Sequence, residues 1–160
     1  MSLIIAFLTA LVGGGFVIHL QQAMGLEVGK AVAEAMRKMK LRGADVFPNG
    51  DATAALISTS AFDQTPVFKV ARPQKIQHLI GEPGEITASG DSAARTLIVT
   101  ITKVPIYACE NLIAALDSTS TTIQVAGITV KPAENSKADL NKVQCDLLKP
   151  NDVVATIGGS

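Results

Sequence analysis

The chain has 160 residues, 48% of them hydrophobic and 4% aromatic, and its 14 basic side chains balance 14 acidic ones at a formal net charge of zero. That length suits one globular unit, and the apolar content with no net charge excludes an intrinsically disordered chain. A nucleic-acid binder is disfavoured too, because neutralising phosphates takes a clustered excess of Lys and Arg.

The apolar residues are concentrated at one end. Residues 1–18 read MSLIIAFLTALVGGGFVI, and the first ionisable side chain is His19. Eighteen such residues lie at the lower edge of a membrane-spanning helix, which needs roughly 17 to 25. A secretory signal peptide opens on a basic region and closes at a small-residue cleavage site. Neither is found here, so the expectation is a chain numbered from a mature end, with any leader removed. Hydropathy alone reads this as a single-pass anchor ahead of a periplasmic or extracellular domain. Gly13, Gly14 and Gly15 interrupt the apolar run. Each costs a helix about 1 kcal/mol relative to alanine, so they mark a point of helix flexibility, suited either to close helix packing or to unwinding.

Helical spacing continues beyond: Leu20, Met24, Val28, Ala31, Val32, Ala35, Met36 and Met39 recur at intervals of three and four, with Lys30, Glu34, Arg37, Lys38 and Arg42 largely elsewhere. Glu34 stands four residues before Lys38, the favourable order for a surface ion pair, and Gly43 sits where a helix stop belongs. A helix from about Ser2 to Arg42 would be roughly 60 Å long, more than a small domain is wide. The expected division is an N-terminal helix over 1–43, hydrophobic in 1–18 and amphipathic in 19–43, followed by a globular head over 44–160.

In that head, ATAALIST at 52–59 follows an Asn-Gly-Asp turn and predicts a short helix. Glu85–Ala88, a turn at Ser89–Ser92 and the β-branched run Thr96–Thr102 predict a hairpin with one long buried strand. Pro105 opens a helix whose stripe is Ile106, Cys109, Leu112, Ile113 and Leu116. A second hairpin is expected at Thr121–Val125 and Gly127–Val130, then a polar loop to Asn141 and a last strand at Val153–Ile157. The fold class is therefore α+β with an antiparallel sheet.

The two cysteines, Cys109 and Cys145, most simply form one disulfide in an extracytoplasmic chain, or remain two buried thiols in a cytosolic one. Two cysteines and two distant histidines do not make a metal site, so no metal or cofactor is expected. No catalytic motif is present: there is no nucleophile elbow, zinc-protease helix or phosphate-binding loop. His19 reads as an interfacial or packing residue and His78 as part of a Pro-rich loop.

The apolar start MSLII, the long helix, the mixed C-terminal region and the two late cysteines together resemble a type IV pilin. The segments GEITASGDSAARTLIVTITKVPIYACENLIAAL and TTIQVAGITVKPAENSKADLNKVQC are similar in order and spacing to type IVb pilins, in particular the thin-pilus major pilins of conjugative plasmids. The likeness covers about 80–157 well and 1–42 in general character, and leaves 44–79 unmatched. It implies the pilin fold, a long N-terminal helix packed on an antiparallel β-sheet with a short disulfide-linked helix, and a disulfide between Cys109 and Cys145. It implies a non-enzymatic subunit, stored in the inner membrane and then polymerised with copies of itself into an extracellular pilus for attachment, cell-cell contact or conjugation. Leu3, Ile4, Ile5, Phe7, Leu8, Leu11, Val12, Phe16 and Val17 would line the membrane and then the filament core. Prepilin peptidase and the pilus assembly machinery would be its partners, and Met1 a processed, N-methylated terminus.

Charge is segregated in keeping with that role. Residues 19–44 carry five basic and two acidic groups, and residues 45–160 nine basic and twelve acidic. One residue departs from the family: it usually has glutamate at the fifth mature position, compensating a neighbour's N-terminal amine, and this chain has Ile5. Burying an uncompensated amine costs several kcal/mol, so the resemblance leaves the Met1 amine neutral, or held by carbonyls or by the Ser2 or Thr9 hydroxyl. Ile5 also suits a minor pilin at the filament tip. An anchored periplasmic domain that never polymerises is the remaining alternative.

Overall fold

The structure, a computed structural model, describes residues 2–42, 47–63, 65–71, 74–143, 145–146 and 151–158, with the backbone alone for residues 2–13. Helix α1 runs unbroken from Ser2 to Leu41, 40 residues, with Lys38 and Lys40 in its last turn, where cations favour the helix dipole. Its C-terminal half carries the apolar stripe expected of it: Val28, Ala31, Val32, Ala35, Met36 and Met39 are buried. Leu20 is not part of that stripe; it stands 48% exposed. Gly43 and Met1 lie outside the described residues.

A two-residue strand β1 (Gly50–Asp51) leads into helix α2 (Thr53–Ile57), shorter than the 52–59 expected. Asp51 fixes its start by accepting the Thr53 N–H at 2.9 Å. Then come β2 (Phe68–Ala71), β3 (Lys75–His78), β4 (Gly84–Asp91) and β5 (Thr96–Val104), followed by helix α3 (Ile106–Asp117). Strands β6 (Thr122–Val125) and β7 (Ile128–Lys131), a 3-10 turn at Leu140–Lys142 and β8 (Asn151–Gly158) complete the order.

All pairings are antiparallel. The sheet order is β2-β3-β4-β5-β8-β6-β7, with β1 added beside β4. The C-terminal strand β8 is therefore central, paired on both edges, by β5 and by β6. Alternation sets its faces: Ile86 and Ala88 of β4, Leu97, Val99 and Ile101 of β5, and Val153, Ala155 and Ile157 of β8 are buried. They join Val32, Met36 and Met39 of α1 and Leu112 and Leu116 of α3 in one apolar core. The architecture is thus a long N-terminal helix packed on an antiparallel sheet, with a short helix tied down by a disulfide.

Two turns differ in an instructive way. The β4–β5 turn falls at Ser92–Arg95 rather than Ser89–Ser92, because Asp91 bonds the N–H groups of Ala93 and Ala94 at 2.9 Å and moves the reversal three residues along. The β6–β7 turn falls on Ala126-Gly127 as expected, with φ values of 49° and 81°, the left-handed pair that a two-residue hairpin requires. His78 is not in a loop: it ends β3 and is fully buried.

Candidate functional site

The surface with a claim to function is helix α1 and what holds it. Gly25 and Gly29 make the seam with α3. A Cβ on Gly25 would stand 2.4 Å from the Ala108 carbonyl oxygen, and one on Gly29 would stand 2.7 Å from the Ala115 Cβ. The two backbones therefore approach at glycine distance, one turn apart along α1, a geometry that any larger residue would force open. Asn111 of α3 completes the seam by donating its side-chain N–H to the Gln22 carbonyl at 3.1 Å.

Farther down, Lys38 donates to the Thr59 carbonyl at 3.2 Å and Arg42 to the Ser58 hydroxyl at 3.0 Å, fastening α1 to the end of α2. Glu34 pairs with Lys38 at 3.6 Å but more closely with Arg37 at 2.8 Å. The hydrogen bond from Arg37 is the main reason its carboxyl titrates below the usual range. These exposed pairs orient side chains and add little stability.

Above the seam α1 is uncovered. Phe16 is 68% and Val17 50% exposed, and no atom lies within 4 Å of where a Cβ on Gly14 or Gly15 would be. The helix passes through these glycines without a break, so in the single chain they pack against nothing. The side chains of Leu3, Ile4, Ile5, Phe7, Leu8, Leu11 and Val12, and Gly13 among the glycines, fall outside the described residues. Among the described residues no helix is long and apolar enough to cross a membrane. His19 is exposed on this stretch.

The seam helix α3 is itself tied down by a disulfide. Cys109 of α3 is bonded to Cys145, with Cα atoms 6.5 Å apart and a sequence separation of 36. A loop of that size is stabilised by about 3 to 4 kcal/mol in the chain-entropy model. Two polar clasps that sequence reasoning missed reinforce it. The buried Asn151 side chain donates to the carbonyls of Val104 at 3.1 Å and Asp146 at 3.3 Å, and accepts the Asp146 N–H at 2.8 Å. Lys131, also buried, donates to the Asp117 carbonyl at the end of α3 and lies 3.3 Å from the Asp117 carboxylate. That carboxylate in turn accepts the Ala138 N–H at 2.9 Å.

Between β5 and α3, Lys103 has a φ of 58° at a bulge in the β5–β8 ladder. Its N–H turns to the Asp152 carboxylate at 3.2 Å, which re-aims the chain toward Pro105 and starts α3 in the right place. Beside this bulge, His78 Nε2 lies 2.7 Å from the Thr102 carbonyl, so it carries the proton and donates. Nδ1 accepts from the Ile80 N–H at 3.4 Å. Burial pushes the His78 pKa down, against the raising effect of the Thr102 bond. Among the described residues no group of three or more His, Cys, Asp or Glu could hold a metal ion.

A long N-terminal helix on an antiparallel sheet, with a short disulfide-tied helix, is the type IV pilin fold. The structure is similar to the crystal structure of a type IV b pilin from Salmonella typhi, with a TM-score of 0.59 and 17% sequence identity over 83% of this chain and 97% of that one. At that identity the likeness is one of fold. No protein-family profile matches the sequence, and no curated protein does.

Proposed function

We propose that the chain is a structural subunit, the major pilin, that polymerises into an extracellular type IVb pilus for attachment, cell-cell contact or conjugation. In this reading residues 1–43 are the stalk and 44–160 the head. The observation that carries it is the exposure of Phe16, Val17 and Leu20 on a helix that extends past the rest of the molecule. Apolar side chains in that position need a cover. Lipid serves before assembly and other copies of the same helix serve after it, so the transfer from one to the other exposes nothing to water.

The pilin-like fold supports a structural rather than catalytic role, at the bacterial surface once assembled and in the inner membrane before. Prepilin peptidase and the assembly machinery would act on Met1 and the apolar segment, and Leu3, Ile4, Ile5, Phe7, Leu8, Leu11 and Val12 would extend the same core. A second reading, a minor pilin at the tip acting as an adhesin, draws on Ile5, since a tip subunit has no neighbour ahead whose amine needs a carboxylate.

Shearing filaments from cells that express the full chain with a type IVb assembly system tests the proposal. The major-pilin reading expects this chain as the main protein of the sheared fraction. A trace amount among filaments of another subunit favours the tip reading, and complete retention in the inner membrane overturns both.

A further inference from the structure

Counting partners for each charge on the molecule leaves a short remainder. On α1, Arg37 and Lys38 are paired with Glu34, Lys40 with Glu134, and Arg42 with Ser58, which leaves Lys30 as the α1 cation and Glu27, three residues before it, as the α1 carboxylate without a partner among the described residues. Across 45–160, Glu82, Glu85, Asp117, Glu134 and Asp139 are in ion pairs, and Asp51, Asp91 and Asp152 accept backbone N–H groups. Among the described carboxylates of that region Glu110 is left without a partner.

Glu110 is also placed to receive one. It lines a cleft of about 260 Å³ at the α1–α3 junction, together with Gln22, Ile106, Tyr107 and Asn111. Tyr107 is 40% exposed there. A carboxylate beside an aromatic ring suits a lysine, whose ammonium meets the charge while its methylene stem lies on the ring. In its own molecule Lys30 makes no ion pair with Glu110 within 4 Å. It stands eight residues beyond Gln22 on α1, about 12 Å along the axis.

We propose that the cleft receives Lys30 of a second copy of this chain, so that Glu110 and the incoming Lys30 form an ion pair between subunits whose α1 helices lie side by side, displaced by about two turns. The inference rests on the pilin reading and names the contact that sets the stagger. Lys69 and Lys137 also lack partners, but neither lies on α1 and so neither comes with the helix that must pack. The pair would be half-shielded from water at the cleft, and adding salt would weaken it.

The test is charge exchange in the full chain, read as filament yield in the sheared fraction. Glu110→Lys and Lys30→Glu are each expected to lower the yield at least fivefold, and the double exchange to restore at least half of it. Both residues are exposed, so an unchanged thermal midpoint of each variant confirms that folding is intact. Carbodiimide treatment of wild-type filaments, which joins a carboxylate to an amine in direct contact, is expected to give a Lys30–Glu110 linked peptide between chains. Single variants that assemble normally, or a double exchange that fails to recover, overturn the proposal while leaving the pilin reading in place. A wild-type chain that never forms filaments overturns both.

Discussion

A histidine with no contact with solvent, held by the Thr102 carbonyl on one nitrogen and the Ile80 amide on the other, has no room for a second proton. Protonating Nδ1 would turn the acceptor of the Ile80 N–H into a donor facing a donor. Burial therefore holds the folded His78 pKa below its ordinary value of about 6.5. Above that value folded and unfolded chains are both neutral at this residue and its contribution to stability is complete. As the pH falls through 6.5 toward the folded pKa, the unfolded chain takes a proton that the folded one refuses, and stability declines by up to about 1.4 kcal/mol per pH unit. Urea unfolding should accordingly give a flat midpoint from pH 8 to 7 and a falling one from pH 6.5 to 5.5. In His78→Gln the fall over that window should vanish, whatever the variant's absolute stability. An unchanged slope in the variant would assign it to another group. Asn151 and Lys131 belong to the same class of residue: each is a buried polar side chain, Asn151 bonded to the end of β5 and to Asp146, Lys131 to the end of α3, and each acts as a clasp.

The elements divide by how far their causes lie along the chain. Helix α1, the β4–β5 hairpin apart from the place of its turn, α3, the turn at Ala126-Gly127 and β8 were legible, since each announces itself through local periodicity, β-branched content or turn chemistry. Strands β2 and β3 were not. They are four residues each, carry Lys69, Lys75 and Gln77, and flank Arg72-Pro73, so nothing in their own composition separates them from loop. Their identity comes from pairing, β2 on β3 and β3 on β4. The candidate surface was legible in the same partial way. The cysteine pair could be read from the resemblance. Gly25 and Gly29 could not, because the backbone they admit lies more than eighty residues away. Gly13, Gly14 and Gly15 stand out by helix propensity, yet among the described glycines of α1 those packed against α3 are Gly25 and Gly29. A direct comparison follows. Gly25→Ala and Gly29→Ala should each destabilise the fold by about 1 to 3 kcal/mol through overpacking. Gly14→Ala and Gly15→Ala should leave the thermal midpoint unchanged or raise it, since their surroundings are open and alanine favours the helix by about 1 kcal/mol. Thermal melts of the four variants check this, and equal effects at all four positions would remove the seam from the account.

Across the whole molecule the same helix has two unlike halves. Its C-terminal half is fully committed: its apolar face is in the core, its glycines are against α3, and all but one of its cations are paired. Its described N-terminal stretch, by contrast, carries Phe16, Val17 and Leu20 about half-exposed or more. In the proposed filament that stretch finds its cover in other copies, and the antiparallel sheet forms the outer shell. Cryo-electron microscopy of filaments sheared from cells making the full chain tests this most directly. The account predicts a central bundle of α1 helices with Phe16, Val17 and Leu20 of each subunit buried against its neighbours. Filaments in which those three side chains face solvent, with subunits joined through the sheets alone, would contradict it.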